Sequence, residues 1–339
     1  MATLSTTNPT LADWAKVLDP DGSIATVIGL LNQMNEITDD MVWIEGNLPT
    51  GHRSSVQTTL PQGTWRRFNE GVAPTKATAV QITDSCGMLE TYSEIDKAIA
   101  DLNGNTAAFR LSQDRAFLEG LTQQLAGTLF YGNTSTNPER FMGFAPRYNT
   151  TSTSTSQTAN NFISGGGSGS DNTSIWLVGW GELSCHGIFP KGSKAGLSMN
   201  DLGEQTILDA LGTRYQGYRT HYKWDAGLTV RDWRYVVRIG NIDVSDLAGS
   251  TPADLVKLMM RAMNKIPNLK MCRPAWYMNR TVKQWLDIQR NLGASVAATT
   301  NNTNIRRTLD ESDGRIFNSF GGIPIRICDQ ITLAEATVS

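Results

Sequence analysis

The stretch TAAFRLSQDRAFLEGLTQQLAGTLFYGN, residues 106–133, decides the fold class. Its leucines recur at steps of seven, three, four and four, as along one face of an α-helix. They are Leu111, Leu118, Leu121, Leu125 and Leu129. Because polar residues lie between them, the spacing predicts a long helix over 106–129 with one buried stripe. The following Gly132-Asn133 pair is suited to a left-handed C-terminal cap.

Strand and turn signals fill the segment before this helix, from Gly46 to Tyr92. Strand-like runs at 54–60, 64–68 and 77–83 are separated by turn residues such as Pro61-Gln62-Gly63. The pattern predicts a long β-hairpin over 46–80 whose return is marked by glycine and proline.

The predicted hairpin carries little apolar surface, since only Trp65 and Phe68 are large apolar residues near its return. A two-stranded ribbon with so little apolar surface cannot form its own core, so we expect it to lie across another subunit. Its positive charges outnumber its acids and can make charge-assisted contacts with a neighbour's carboxylates. The candidate intersubunit contact residues are Arg53, Trp65, Arg66, Arg67, Glu70 and Lys76.

The N-terminal segment, residues 1–45, begins with a threonine-rich tail and continues with a periodic apolar stretch. This segment is predicted to be an arm that packs on its own body or on a neighbour. The periodic residues are Ile24, Val27, Ile28, Leu31 and Met34.

The chain after the long helix is predicted to be mixed. Residues 149–174 are rich in Thr, Ser, Asn and Gly, which predicts a loop or linker. Strand-like runs at 175–180, 187–189 and 233–239, with aromatic residues between them, predict a β-rich insertion over 175–245.

Two helices and a strand are predicted to close the chain. The helices cover 252–265 and 281–292, and Thr251 is expected to cap the first before Pro252. Gly321-Gly322 is predicted to form a turn that leads into an alternating strand at 323–327.

Composition and motifs favour no catalytic, cofactor or metal site. The formal net charge of −2 over 339 residues argues against a dedicated nucleic-acid-binding protein. Four widely spaced cysteines argue against zinc or a disulfide framework and are expected to be reduced. No stretch approaches the ~20 apolar residues that cross a bilayer.

The three histidines are not expected to take part in proton transfer. His186, beside Cys185, is expected at the surface, and His221 is expected in a packed or hydrogen-bonded position. No proton transfer is assigned to His52 either.

Several stretches, in this order, resemble the Hong Kong 97-like fold of tailed-phage major capsid proteins. Residues 129–144 look like the junction after that family's spine helix. Tyr277-Met278-Asn279-Arg280 looks like the strand-to-helix step of its axial domain, and residues 319–324 look like its last peripheral strand. Residues 41–49 and 86–97 are similar to capsid proteins of some short-tailed phages.

The resemblance implies an α+β subunit with five parts. They are an N-terminal arm at 1–45, an extended hairpin loop at 46–80, a peripheral domain with the spine helix at 81–145, an axial domain including the β-rich insertion at 146–305, and a C-terminal strand returning to the peripheral domain at 306–339.

The resemblance also implies the partners of such a subunit. It would form hexamers and pentamers of an icosahedral shell in the host bacterial cytoplasm and end as part of the virion. Its other partners would be a portal protein, a scaffolding protein, a decoration or cement protein and, through weak non-specific contacts, the encapsidated double-stranded DNA. Some family members cross-link a hairpin lysine to a neighbour's asparagine, but Lys76 has no identifiable partner, so we expect non-covalent locking.

Two other classes of function stay open on the sequence. A receptor- or carbohydrate-binding tail or fibre component is suggested by the loop at 149–174 and the aromatic residues between 215 and 235. The helices argue against this class, because fibres rarely contain them. An enzyme is the third class, and no catalytic motif supports it.

Overall fold

The computed structural model describes residues 33, 35–104, 106–209, 211–249, 252–291 and 319–339. The periodic stretch predicted at 24–34 and the segment 306–318 lie outside these described residues.

The described residues form five α-helices and twelve strands, joined by turns and short 3₁₀ segments. The helices are α1 (Ile37–Asp40), α2 (Lys97–Ala100), α3 (Thr106–Tyr131), α4 (Leu255–Met263) and α5 (Arg280–Asn291). The strands are β1 (Trp43–Glu45), β2 (Gly51–Thr59), β3 (Thr78–Asp96), β4 (Phe162–Ser164), β5 (Asn172–Trp180), β6 (Cys185–Phe189), β7 (Leu197–Leu208), β8 (Arg214–Val230), β9 (Val236–Asp243), β10 (Arg273–Met278), β11 (Ser319–Phe320) and β12 (Ile323–Ile327).

All twelve strands belong to one mixed sheet, in which the order β11-β12-β10-β5-β6-β8-β3-β2 forms the main path. β7 pairs antiparallel with β8, and β9 pairs antiparallel with β5 and parallel with β4. β1 pairs parallel with β6. The hairpin strand β2 therefore lies at one edge of the sheet and the C-terminal strands lie at the other.

Each face of the sheet carries its own hydrophobic core, and β5 contributes to both. Trp176, Val178 and Trp180 point to the face on which the C-terminal half of α3 packs. Ile175 and Leu177 point to the face covered by α4 and α5. This alternation follows from the period of two in a strand, and it explains why β5 is apolar throughout most of its length.

The predicted long helix is confirmed as α3, which extends two residues beyond the predicted end. Its leucine stripe is buried only from Leu121 onward. Leu111 is 56% exposed, so its predicted burial is wrong, and Leu118 is only half-buried. The N-terminal half of α3 instead turns Phe109 into a small cluster with Ile95 and Ala100. The buried positions in the C-terminal half of α3 thus form two adjacent rows with steps of four, only one of which consists of leucines.

The end of α3 is formed by close approach and not by a left-handed cap. Neither Gly132 nor Asn133 has a positive φ, so the predicted cap is wrong. Gly132 N instead donates to Thr128 O at 2.8 Å, and Gly143 N donates to Gly132 O at 2.7 Å. A Cβ atom at Gly132 would lie 2.4 Å from the carbonyl oxygen of Phe141. The glycine is needed because the returning chain crosses directly over the helix end.

Two predictions for the middle of the chain are corrected. The supposed linker at 149–174 contains β4 and the start of β5, and Asn172, Thr173 and Ser174 are fully buried. The supposed insertion at 175–245 is not a separate unit, because β5, β6 and β9 are interior parts of the sheet. Only the outer part of the β7–β8 ribbon reaches beyond the cores. Polar composition was misleading here because most of these buried polar groups form hydrogen bonds inside the fold.

The described residues of the last third of the chain agree with its predicted elements. α4 begins at Leu255 rather than 252, because Asp254 is the N-cap and its Oδ1 accepts from Lys257 N at 3.0 Å. The predicted cap residue Thr251 lies outside the described residues. The glycine turn is confirmed, since Gly321 and Gly322 have φ values of 61° and 77° between β11 and β12.

No described helix combines the length and apolarity that crossing a membrane requires. All four cysteines are free thiols, as expected.

Candidate intersubunit surface

One strand, β3, joins the body of the protein to a projecting hairpin. Its inner half pairs with β8, from Cys86 opposite Gly227 to Asp96 opposite Gly217. Its outer half pairs with β2, from Ser85 opposite Gly51 outward. Because the same strand belongs to both ladders, the hairpin leaves the body without a flexible linker at its base.

The outer end of the hairpin is closed by a group of threonines. Thr58 Oγ1 lies 2.9 Å from Thr78 Oγ1, and Thr59 Oγ1 lies 2.6 Å from the same atom. Thr78 N donates to Thr59 Oγ1 at 3.0 Å, where the register shifts between Gln57 and Thr59. These bonds end the regular ladder and define where the loop begins.

We call residues 60–77 the tip loop. The segment 64–68, predicted to be a strand, lies in this loop, so that prediction is wrong. Every residue from 57 to 83 is exposed, and Trp65 and Phe68 are 102% and 97% exposed. Two fully exposed aromatic side chains in one short loop are the kind of apolar feature that marks a contact with another molecule.

Five of the six predicted contact residues lie in the tip loop: Trp65, Arg66, Arg67, Glu70 and Lys76. A tight turn brings Glu70 N to Arg67 O at 3.3 Å, with Asn69 in the left-handed region at φ 66°. Arg66 Nη1 makes only a long 3.4 Å bond to the backbone oxygen of Glu70. None of the charged members forms an ion pair with a described residue, so their charges are available for other partners.

Arg53, the sixth predicted residue, lies apart from the others at the base of the hairpin. Its backbone N and O bond to the side-chain amide of Asn47, each at 2.7 Å. Its Nε donates to Thr83 Oγ1 at 3.3 Å. Arg53 thus helps to fasten β2 to the segment before it, while its exposed side chain still faces outward.

The hairpin base is also fastened by an ion pair that the sequence did not reveal. Arg147 Nη2 lies 2.8 Å from Oδ1 of the buried Asp84 and also donates to the carbonyl oxygens of Met142 and Leu228. Arg147 belongs to the turn that follows α3. Arg147 therefore connects the helix end, the sheet and the hairpin. This role could not be predicted from the sequence, where Arg147 is one isolated charge in a segment without a helix or strand pattern.

The three histidines occupy different environments. His52 and His186 are both buried, and their rings lie edge to face with centroids 5.8 Å apart. The expectation that His186 lies at the surface is wrong, because β6 runs through the interior of the sheet. His221 is packed as expected, stacked on Tyr92 at 4.5 Å with Nε2 3.2 Å from Glu90 Oε2.

Burial favours the uncharged forms of the thiols and of His186 in this region. Burial lowers the pKa of His186 to about 4 and raises the pKa of the Cys86 thiol to about 11. Burial also raises the pKa of Cys185, beside His186 in sequence but on the opposite face of the strand. Neutral thiols and neutral imidazoles do not form an activated nucleophile and base pair. The chemistry of the region is therefore structural.

Comparison with known proteins agrees with a shell subunit. The sequence profile of the family described as "Major capsid protein GP7" matches residues 19–339. A chain in the near-atomic structure of bacteriophage Epsilon15 is 34% identical, with a TM-score of 0.78, and the match covers 100% of this chain and 99% of that chain.

Two further solved structures are similar at a lower level. The capsid of bacteriophage JBD30 is 10% identical with a TM-score of 0.46, covering 89% of this chain and 92% of that one. The SrpI encapsulin of Synechococcus elongatus PCC 7942 is 10% identical with a TM-score of 0.44, covering 65% and 91%. A search of curated protein sequences finds no match. From the profile match and the full-length similarity to the Epsilon15 chain, this protein belongs to the major capsid protein GP7 family.

Proposed function

We propose that this chain builds its icosahedral phage shell by laying the tip loop of one copy across the next copy. The chain is a capsid component of the virion with a Hong Kong 97-like fold, and its family is structural rather than enzymatic. The observation that carries the proposal is the full exposure of Trp65 and Phe68 at the end of a hairpin that has no core of its own.

The contact combines an apolar centre with charged surroundings. Trp65 and Phe68 supply the apolar area, and aromatic and arginine side chains are the types that dominate binding energy at interfaces. Arg66, Arg67 and Lys76 form ion pairs with carboxylates of the neighbouring copy, and Glu70 pairs with one of its cationic side chains. Arg53 lies at the base, where it contacts a neighbour only if the two copies overlap along the whole hairpin.

The subunit divides along the chain as its family resemblance implies. Residues 1–45 act as the arm, 46–80 as the extended loop, 81–145 as the peripheral part with spine helix α3, 146–305 as the axial part and 306–339 as the returning strand. The packing of α3 on one face of the sheet, with α4 and α5 on the other, agrees with α3 and the two later helices belonging to different parts, although β5 contributes to both cores.

The assembly and its partners follow from the same proposal. Copies associate as hexamers and pentamers, with a portal protein, a scaffolding protein and a decoration or cement protein as further partners. Contact with encapsidated double-stranded DNA is weak, because a net charge of −2 provides no general attraction for phosphates. Membership of a capsid protein family sets aside the tail or fibre alternative.

Electron microscopy of the purified protein tests the proposal. Closed shells or capsomer rings, with the tip loop of each copy in contact with a second copy, are the expected result. Particles in which the tip loop points into solvent would contradict the contact role while leaving the family assignment intact.

A further inference from the structure

A buried cluster of charged and titratable groups lies where the hairpin meets the body. We call it the base cluster, and it comprises His52, Asp84, Arg147, His186 and Arg231. Its members come from β2, β3, the turn after α3, β6 and the turn after β8 respectively. The cluster therefore joins β2 and β3 to three parts of the body.

The hydrogen bonds of the base cluster require a neutral His52. Arg231 Nη2 lies 2.8 Å from His52 Nε2, and an arginine can only donate. The imidazole must therefore accept at Nε2 and carry its single proton on Nδ1, which is buried and has no hydrogen-bond partner in the part of the chain that the structure describes. A second proton on His52 would set an N–H directly against the guanidinium.

The surroundings of His186 would also fail to stabilise a protonated, positively charged imidazole. Its ring is fully buried, and among the described residues the backbone of Gly181, too distant for a well-formed hydrogen bond to either ring nitrogen, is the one neighbouring group that favours a charge on it. Burial outweighs this contribution and lowers the pKa of His186. His52 is its aromatic neighbour, so the two imidazoles would carry like charges if both were protonated. Burying an unpaired charge in such a position is costly.

The charges that surround the two rings give little compensation. Asp84 is paired opposite His52 in the β2–β3 ladder, and it is the one described group that favours a charge on His52. Its Oδ1 is bound to Arg147, while its Oδ2 is buried without a hydrogen-bond partner among the described residues. The net charge is then about +1 with both imidazoles neutral, from two guanidinium groups and one carboxylate, and about +3 with both protonated. The neighbouring thiols Cys86 and Cys185 add no charge, since burial raises the pKa of each.

We propose that the base cluster is an acid-sensitive joint, in which neutral His52 and His186 hold the hairpin to the body and their protonation releases the hairpin base. The groups facing the two rings are Arg231 on both, Asp84 on His52 and the Gly181 backbone on His186, and each imidazole faces the other. Protonated imidazoles would be repelled by two guanidinium groups, and only one carboxylate, already paired with Arg147, would attract them.

The direction of the effect with pH follows from linkage. Burial lowers the pKa of both histidines, that of His186 to about 4, so between about 6.5 and 4 an open joint binds more protons than a closed one. The closed state is then fully favoured above the ordinary histidine pKa. It loses stability as the pH falls through this window.

Hydrogen exchange on assembled particles tests the joint. Particles of the parent protein and of the double variant His52→Gln/His186→Gln would be incubated from about pH 7.5 to about pH 4.5. Exchange of peptides covering β2 would be measured and corrected for its intrinsic dependence on pH. Glutamine can accept from Arg231 but cannot become charged. His221→Gln is the matched control, because His221 lies outside the base cluster.

On acidification, the protection of β2 from hydrogen exchange should fall by a factor on the order of ten or more in the parent and the control. In the double variant it should fall by less than about twofold. Equal loss in the parent and the double variant would overturn the proposal, as would full protection of the parent at about pH 4.5.

If the double variant does not fold, a second measurement on the parent protein tests the proposal. Exchange at the imidazole C2 carbon of the parent protein reports the titration of each histidine. Midpoints of His52 and His186 well below that of an ordinary histidine are expected. A midpoint near about 6.5 for both would contradict the joint.

Discussion

Arg238 Nη2 donates to Glu335 Oε2 at 2.8 Å, and both side chains are almost completely buried. Glu335 also accepts from the hydroxyl of Tyr131 at 2.5 Å and from that of Ser174. One carboxylate near the C-terminus therefore connects the end of α3, β5 and β9. The C-terminal segment closes the fold through this carboxylate rather than through apolar packing alone.

Replacing Glu335 with Gln should destabilise the subunit strongly, because the Arg238 guanidinium would stay buried without its counter-charge. The expected loss is roughly 3–5 kcal/mol in the free energy of unfolding, measured by chemical denaturation. Glu204→Gln is the matched control, since it breaks the exposed ion pair with Lys97 and should have no measurable effect. Equal stability of the two variants would show that the buried pair is not a major restraint.

Truncation along α3 should have graded effects. Leu125→Ala should cost roughly 2–5 kcal/mol because Leu125 is buried against the sheet. Leu118→Ala should cost less, and the exposed Leu111→Ala should be close to neutral. Thermal unfolding of the three variants would check the order. A cost at Leu111 as large as at Leu125 would mean that the N-terminal half of the helix is covered by something else.

Gly120 within α3 and Gly132 just after its end should respond in opposite directions to alanine. Gly132→Ala would place a methyl group within 2.4 Å of a carbonyl oxygen and should destabilise the subunit. The alanine methyl of Gly120→Ala meets no described residue within 4 Å on the exposed side of the helix, and the substitution should stabilise the subunit by about 0.5–1 kcal/mol. Melting temperatures that move in the same direction for both variants would argue against the close approach at the helix end.

The sequence was most informative where local chemistry and tertiary packing agree. The spacing of Leu121, Leu125 and Leu129 located α3, and Gly321-Gly322 located the last turn, because each signal depends on neighbouring residues alone. The buried segment at 172–174 was missed, because its polar groups are satisfied by distant partners such as Thr332 O and Glu335. Such long-range pairings have no local signature.

The candidate surface was predictable in part for the same reason. Five of the six predicted residues fall in the tip loop because a polar ribbon with isolated aromatic residues is a local signal. Arg147 and Arg231 could not be recognised, since their importance depends on Asp84 and His52, which are far away in sequence and are brought near by the sheet.

Charge reversal in the tip loop should act on assembly and not on folding. The change Arg66→Glu with Arg67→Glu places acids where the proposed neighbour offers carboxylates, so particle yield by sedimentation should fall sharply. Circular dichroism should be unchanged, because neither side chain holds the body together. Lys194→Glu with Lys191→Glu, two lysines outside the hairpin, is the control for charge alone. Normal particles from the tip variant would remove these arginines from the contact.

Removal of the tip loop tests the central claim most directly. Thr59 and Thr78 are paired across the ladder, so residues 60–77 can be replaced with Asn-Gly, which closes a two-residue hairpin turn. This deletion spares the buried Gly51, His52 and Asp84 at the hairpin base. Sedimentation and electron microscopy should find a folded subunit, with the parent's circular dichroism and thermal unfolding, that forms no closed shells. Shells of normal size and yield from this variant would contradict the claim that the tip loop joins one copy to the next.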